Sequence, residues 1–403
     1  MRISTPLLYQ QAVNAMSAQQ SDLLHLQQQI AAGKRMLTAA DDPVAAAQAL
    51  VVRQSQAEND RYANNIGSAK DLLGQNDSVL ASISEVLQSV RTTAVNAGST
   101  VLSATDRAAL ATDVGNRLQQ LIGLANSRDG NGNFMYGGFQ SATQPFTGGG
   151  TGAVTYNGDQ GVQTLQVSAT RFMDVSQNGS ALFETIKNGN GTFTATPGSG
   201  NAGSGVIGST AVANPASLTA DTYRLQFNVV GSTTTYDVID VTTSTTISTG
   251  NAYTDGSSIN VAGMSVAITG APANGDQFTL APSTNQSVFT TLQNLMTALQ
   301  APTTTDAQRA SFTNSINDAL QNIDHDLEHV LTARSDVGAN LREIDALSSA
   351  GDDRGIQYQQ TLSRLEDLDY NRALSLFAQQ QLALEAAQKS FLKTSGLSLF
   401  SML

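Results

Sequence analysis

Cysteine and tryptophan are absent from these 403 residues, aromatic residues make up only 5% and charged residues only 13%. Without a thiol there is no disulfide and no cysteine nucleophile, and the three histidines pair with no serine in an elbow motif. So little aromatic area argues against a compact enzyme-like interior and for long, thin helices with a small sheet domain. No run approaches the roughly 20 apolar residues of a membrane-spanning helix, so membrane insertion is not expected. The segment from Met1 to Val13 reads as lacking the cationic and continuous apolar regions of a cleaved export signal. Acidic residues outnumber basic ones 33 to 21, and the net charge of -12 repels phosphate backbones, so nucleic acid is excluded as an expected partner.

What is present is helical periodicity at both ends. Tyr9, Met16, Leu23, Ile30 and Leu37 recur at seven-residue spacing, with Leu26 on the same stripe. That spacing predicts a helix that supercoils against a partner. The other positions of the stripe, Ala12, Gln19 and Gly33, are small or polar, so the seam buries little and is expected to order only when covered. The helix is expected to stop between Gly33 and Ala40, and Asp41, Asp42 and Pro43 form a helix-starting cap, since Asp accepts from orphan amides and Pro suits the first helical position. A longer stripe follows from Tyr62 through Ile66, Leu73, Leu80 and Leu87 to Ala97, and predicts a single rod ending at Gly98. Thr105 and Asp106 are read as the next cap, before Ala111, Val114, Leu118, Leu121 and Ala125.

The C-terminal end mirrors this. Ile316, Leu320, Ile323, Leu327, Val330, Val337, Leu341 and Ile344 form a stripe broken by Arg334, and Leu374, Phe377, Leu384 and Phe391 carry another. The apolar end, including Leu399 and Phe400, is a candidate assembly contact. The expected fold class is α+β: long antiparallel helical coiled-coil arms from both termini with an inserted, mostly β domain. The expected divisions are an assembly helix over 1–40, a helical rod over 41–144, the β domain over 145–285, a second rod over 286–350 and a second assembly helix over 351–403. Tyr223 to Val230 and Tyr236 to Val241 alternate as strands do, Asn157-Gly158 is read as a hairpin turn, and the Gly/Ser-rich stretch around 188–214 as a flexible loop.

Three chemical motifs need weighing. His325, Glu328 and His329 match the H-x-x-E-H zinc pattern, with two ligands one turn apart and a general base between them. The stripe through Ile323, Leu327 and Val330 puts all three at outward positions, so a solvated helix face is preferred and no metal site is assigned. Gly198 to Gly203 satisfies G-x-G-x-x-G but opens no helix, so no dinucleotide is expected. Asp129 to Asn133 lacks the closing glutamate of a calcium loop and is read as a tight turn. No catalytic residue and no cofactor is assigned.

Taken in order, several segments resemble the hook-filament junction family of the flagellin superfamily. They are Met1 to Pro6, Gly33-Lys34-Arg35 with Ala40 to Pro43, Leu124 to Gly132, Phe134 to Phe139, Gly270 to Phe278, Arg334 to Leu341, Leu365 to Asp369, Leu384 to Gln388 and Gly396 to Phe400. The resemblance covers 1–145 and 286–403 well and the centre loosely. It implies a non-enzymatic subunit exported through the flagellar type III channel with an export chaperone, to the extracellular flagellum. It further implies a homo-oligomeric ring of about eleven copies between hook-associated protein 1 and flagellin, required for filament assembly and motility. A flagellin-type filament subunit and a surface adhesin are the competing readings, and Met1 to Pro6 with Gly270 to Phe278 favours the junction family.

Overall fold

The computed structural model describes residues 5–99, 102–150 and 152–400. Among the described residues there are seven α-helices: α1 (Thr5–Ala32), α2 (Pro43–Ala97), α3 (Ala104–Ala125), α4 (Gly179–Phe183), α5 (Val288–Gln300), α6 (Asp306–Glu366) and α7 (Tyr370–Phe400). Among the described residues none is long and apolar enough to cross a membrane. The chain divides into two compact units, one formed by residues 1–65 and 346–403 and the other by 66–345.

In the second unit the expected stripe on α2 is the core: Ile66, Ala69, Leu73, Asn76, Leu80, Ile83, Leu87, Val90, Ala94 and Ala97 are all buried. Ala111, Val114, Leu118, Leu121 and Ala125 of α3 are buried with them. The α3 cap differs from expectation. Ser103, not Thr105, is the N-cap, and it exchanges bonds with Asp106 in a capping box. On α6 the buried residues include Ile316, Ala319, Ile323, Asp326, Leu327, Val330, Val337 and Ile344, while Leu320 and Leu341 are only half-buried. The stripe follows the alternation of three and four through an alanine and an aspartate, because the helix period and not side-chain size decides which residues face inward. Arg334 interrupts it by pairing with Asp77 of α2, Nε to Oδ1 2.7 Å.

The described residues of the β part form fourteen strands. They are β1 (Phe146–Gly149), β2 (Gly152–Tyr156), β3 (Thr164–Gln166), β4 (Phe172–Asp174), β5 (Ile186–Lys187), β6 (Phe193–Pro197), β7 (Val206–Val212), β8 (Tyr223–Val230), β9 (Thr233–Asp240), β10 (Thr245–Ala252), β11 (Ser258–Val261), β12 (Met264–Thr269), β13 (Gln277–Pro282) and β14 (Asn285–Gln286). A five-stranded sheet in the order β10-β9-β8-β13-β6 and a three-stranded sheet in the order β11-β12-β7 share one core that includes Tyr223, Leu225, Phe227, Val266, Ile268 and Phe278. The few aromatic residues are concentrated rather than spread: Phe146, Phe183 and Phe289 form a second cluster with ring centroids 5.1–5.7 Å apart.

Two readings of the β part are corrected. The stretch 188–214 carries β6 and β7, and its G-x-G-x-x-G run is a fixed turn: buried Asp276 accepts from the amides of Ala202, Gly203 and Ala273 at 2.8–3.1 Å. Asn157-Gly158 is not a hairpin turn. The β1–β2 connection lies at Gly149–Gly152, and Asp159 holds the 157–161 segment by accepting from the Phe139 and Gly161 amides. Asp129 closes its own turn as expected, accepting from the amides of Asn131 and Asn133.

A row of amides on α6 carries the β part. Asn314 accepts from the Ile207 amide at 2.7 Å and donates to the Gly205 carbonyl at 3.1 Å, Asn317 donates to the Ile207 carbonyl, and Asn322 accepts from the Gly189 amide. These bonds satisfy backbone groups at the start of β7 and in the loop after β5, most of them buried.

Candidate assembly site

The first unit brings the two ends of the chain together. Gly33, at φ +67°, ends α1 in the left-handed region that glycine adopts without penalty. The turn after it meets the turn between α6 and α7: the Arg35 amide donates to the Glu366 carbonyl at 2.7 Å and the Leu368 amide to the Gly33 carbonyl at 3.1 Å. From this joint α1 and α7 run antiparallel. Tyr370 donates its hydroxyl to the Ile30 carbonyl at one end, and Tyr9 and Phe391 meet edge to face at the other, centroids 5.8 Å apart.

The residues expected to form a seam are therefore brought together within one chain. Leu26 and Ala373 are buried, and Tyr9, Ala12, Met16, Leu23, Ile30, Phe377, Leu384 and Phe391 are half-buried. Leu37 is half-buried in the loop after α1, beside Met36 and Arg53. Leu374 is the exception: it is 53% exposed, because the α7 stripe runs 373, 377, 380, 384, 387, 391 and residue 374 lies about 100° around the helix from the centre of that stripe. The side chains of Leu399 and Phe400 lie outside the described residues.

Pairing α1 with α7 leaves much apolar surface uncovered. Leu7, Val13 and Leu24 on α1, Leu374, Leu376, Leu382 and Leu392 on α7, and Val44, Leu50 and Val51 at the start of α2 are all exposed, Leu382 at 69%. This many exposed large apolar side chains on paired helices fit an interaction surface.

The joint beside it is electrostatic. Glu366 keeps 8% of its side chain exposed and accepts from Arg53 at 2.7 Å and Lys34 at 3.2 Å. Burial works against its charge, but the two cations prevail and hold the carboxyl below its usual range. Lys34 is shifted upward, first by its bond to Asp367. The three cap residues take distinct parts. Pro43 is the first residue of α2 and Asp42 is its N-cap, accepting from the Ala45 amide at 3.0 Å and from Arg35. Asp41 instead turns back to accept from the amides of Thr38 and Leu37 and lies 3.1 Å from His25. Backbone bonds, from Thr38 and Ala45 respectively, are the leading cause that lowers the pKa of each aspartate.

The histidine pair belongs to the other unit and is half-buried, while Glu328 between the two is exposed. His329 donates to the Ala181 carbonyl of α4 at 2.9 Å, and His325 lies against Gly191. Among the described residues no group of three or more acidic or histidine ligands gathers.

Antiparallel terminal helices around an inserted β part define a flagellin-type structural protein, and residues 3–141 match the bacterial flagellin N-terminal helical region. The chain belongs to the flagellar hook-associated protein 3 (FlgL) family. It is 30% identical to FlgL of Xanthomonas campestris, whose crystal structure superposes with a TM-score of 0.72 over 77% of this chain and 99% of that one. The flagellar junction protein FlgL of Legionella pneumophila is 28% identical, with a TM-score of 0.71 over 79% of this chain and 100% of that one. Flagellar hook-associated protein 3 of Salmonella typhimurium is 28% identical over 100% of this chain and 99% of its own length. These relatives are structural proteins of the flagellum.

Proposed function

We propose that this chain joins the flagellar hook to the filament and is required for filament assembly and motility. The observation that carries this reading is the exposed apolar surface of the paired termini, seven side chains on α1 and α7 that the chain itself leaves uncovered. In a symmetric assembly each copy covers this surface on the next, and a closed ring of about eleven copies satisfies every copy equally. Hook-associated protein 1 bounds the ring on one side and flagellin on the other. The chain reaches that position through the flagellar type III channel with an export chaperone, acts outside the cell, and neither catalyses a reaction nor uses a cofactor. Residues 1–40 and 351–403 serve as assembly helices, 41–144 and 286–350 as rods, and 145–285 as the β domain. Tyr9, Met16, Leu23, Ile30, Leu37, Phe377, Leu384, Phe391, Leu399 and Phe400 form the seam, with Leu374 on the outer face.

Deleting the gene tests the reading. Hooks without filaments, together with flagellin monomers in the medium, are the expected result. Filaments of normal length would overturn it.

A further inference from the structure

Asn76 stands in the otherwise apolar stripe of α2, between Leu73 and Leu80, and is 1% exposed. Its Oδ1 accepts from the Tyr136 hydroxyl at 2.8 Å, but its buried Nδ2 donates to no atom of the protein. Gln177 donates from Nε2 to the Ala333 carbonyl of α6 at 3.3 Å, and its buried Oε1 accepts from no atom of the protein. A leftover donor and a leftover acceptor thus line the same small cavity, of about 20 Å³, together with Leu72, Asp129, Phe134 and Gln163.

We propose that this cavity is the binding site of one ordered water molecule, which accepts from Asn76 Nδ2 and donates to Gln177 Oε1. The space is large enough: one water needs roughly 10–15 Å³, and one donor and one acceptor left over call for one bridging molecule. The chemistry decides the occupant. A cation is opposed by the amide N–H of Asn76, and Asp129, the one carboxylate on the wall, already accepts from Asn131 and Asn133 on Oδ1 and from the Asn133 side chain on Oδ2. An apolar filler would leave both amides unpaired. The water completes a chain from Tyr136 through Asn76 and Gln177 to the Ala333 carbonyl, tying α2 to α6 at a polar break in the α2 stripe. A single satisfied polar position of this kind fixes the register of packed helices.

Two measurements on the full chain test the site. A crystal structure that resolves ordered solvent is expected to show one peak within hydrogen-bonding distance of both amides, as well ordered as its neighbours. With asparagine labelled in ¹⁵N, the Asn76 side-chain amide, identified by its loss in Asn76→Asp, is expected to show a cross-peak to water that Gln177→Met abolishes. A peak-free cavity, a direct bond from Asn76 Nδ2 to a protein atom, or no water cross-peak in the unaltered chain would each overturn the proposal. Survival of the cross-peak in folded Gln177→Met would overturn the bridge. If that variant fails to fold, the crystal density and the unaltered chain's spectrum decide.

Discussion

Arg53 and Lys34 donate to the same oxygen of Glu366, at 2.7 and 3.2 Å, so one carboxylate fastens the start of α2 and the loop after α1 to the end of α6. The Glu366→Gln variant keeps the shape and removes the charge. Because the folded carboxyl titrates below its usual range, its contribution is present above the ordinary glutamate value and is lost as pH falls through the folded one. Both cations are largely exposed, which limits the loss to about 1 kcal/mol. Hydrogen exchange at pH 7 is expected to quicken at residues 33–42 and 366–370 while the second unit keeps its protection. Equal quickening in both units would refute a local joint.

Leu374 and Phe377 are three residues apart and predict opposite phenotypes. Leu374→Asp alters an exposed position, so thermal unfolding of the free chain is expected to stay within about 0.5 kcal/mol of the parent. Motility and filament length are expected to fail. Phe377→Ala removes a half-buried ring from the α1–α7 seam and is expected to loosen the terminal pair in the free chain as well. Swimming by Leu374→Asp at the parent's speed would remove this face from the assembly surface.

His329 contacts α4 through the Ala181 carbonyl, and it is expected to act as that contact rather than as a metal ligand. A metal chelator is expected to leave the unfolding temperature unchanged, whereas His329→Ala is expected to lower stability by about 1 kcal/mol through loss of the bond to the Ala181 carbonyl. A chelator-induced drop in the unfolding temperature would reverse the assignment.

The rods were legible in the sequence because a buried helix face repeats every three or four residues over many turns: ten of the eleven α2 positions expected inward, from Ile66 to Ala97, are buried and only Tyr62 is not. The α6 stripe was misread at Leu320 and Leu341, which keep the same four-three spacing yet are only half-buried, and at Ala319, which is buried one position away. The amide row at Asn314, Asn317 and Asn322 left no hydropathy signal, since its partners are backbone groups of strands more than a hundred residues earlier in the chain. For the same reason the glycine-rich stretch around 188–214 read as a flexible loop: what orders it is Asp276, distant in sequence. Near the chain ends the helix start at Asp42 and Pro43 and the half-burial of Tyr9, Met16 and Phe391 follow local patterns, but the joint at Glu366 depends on two turns meeting, which no local pattern encodes.

Asp326 is a carboxyl buried against the cost of desolvation. It is 2% exposed on the core face of α6, its Oδ2 has no protein partner, and burial pushes its carboxyl up to about 8, opposed only by a bond from Thr291 of α5. The unfolded carboxyl titrates near about 3.9, so the folded state retains a proton that the unfolded state releases. The sign follows: the contribution to stability is complete below about pH 4, falls as pH rises, and levels off above the folded value, with a slope of at most about 1.4 kcal/mol per pH unit. Asp326→Asn keeps the shape and cannot ionise. Urea unfolding of the parent is expected to weaken from pH 5 to pH 8, while the variant loses much of that slope and is the more stable protein at pH 8. Parallel pH profiles for the two would mean that Asp326 is ionised and paired in the folded chain.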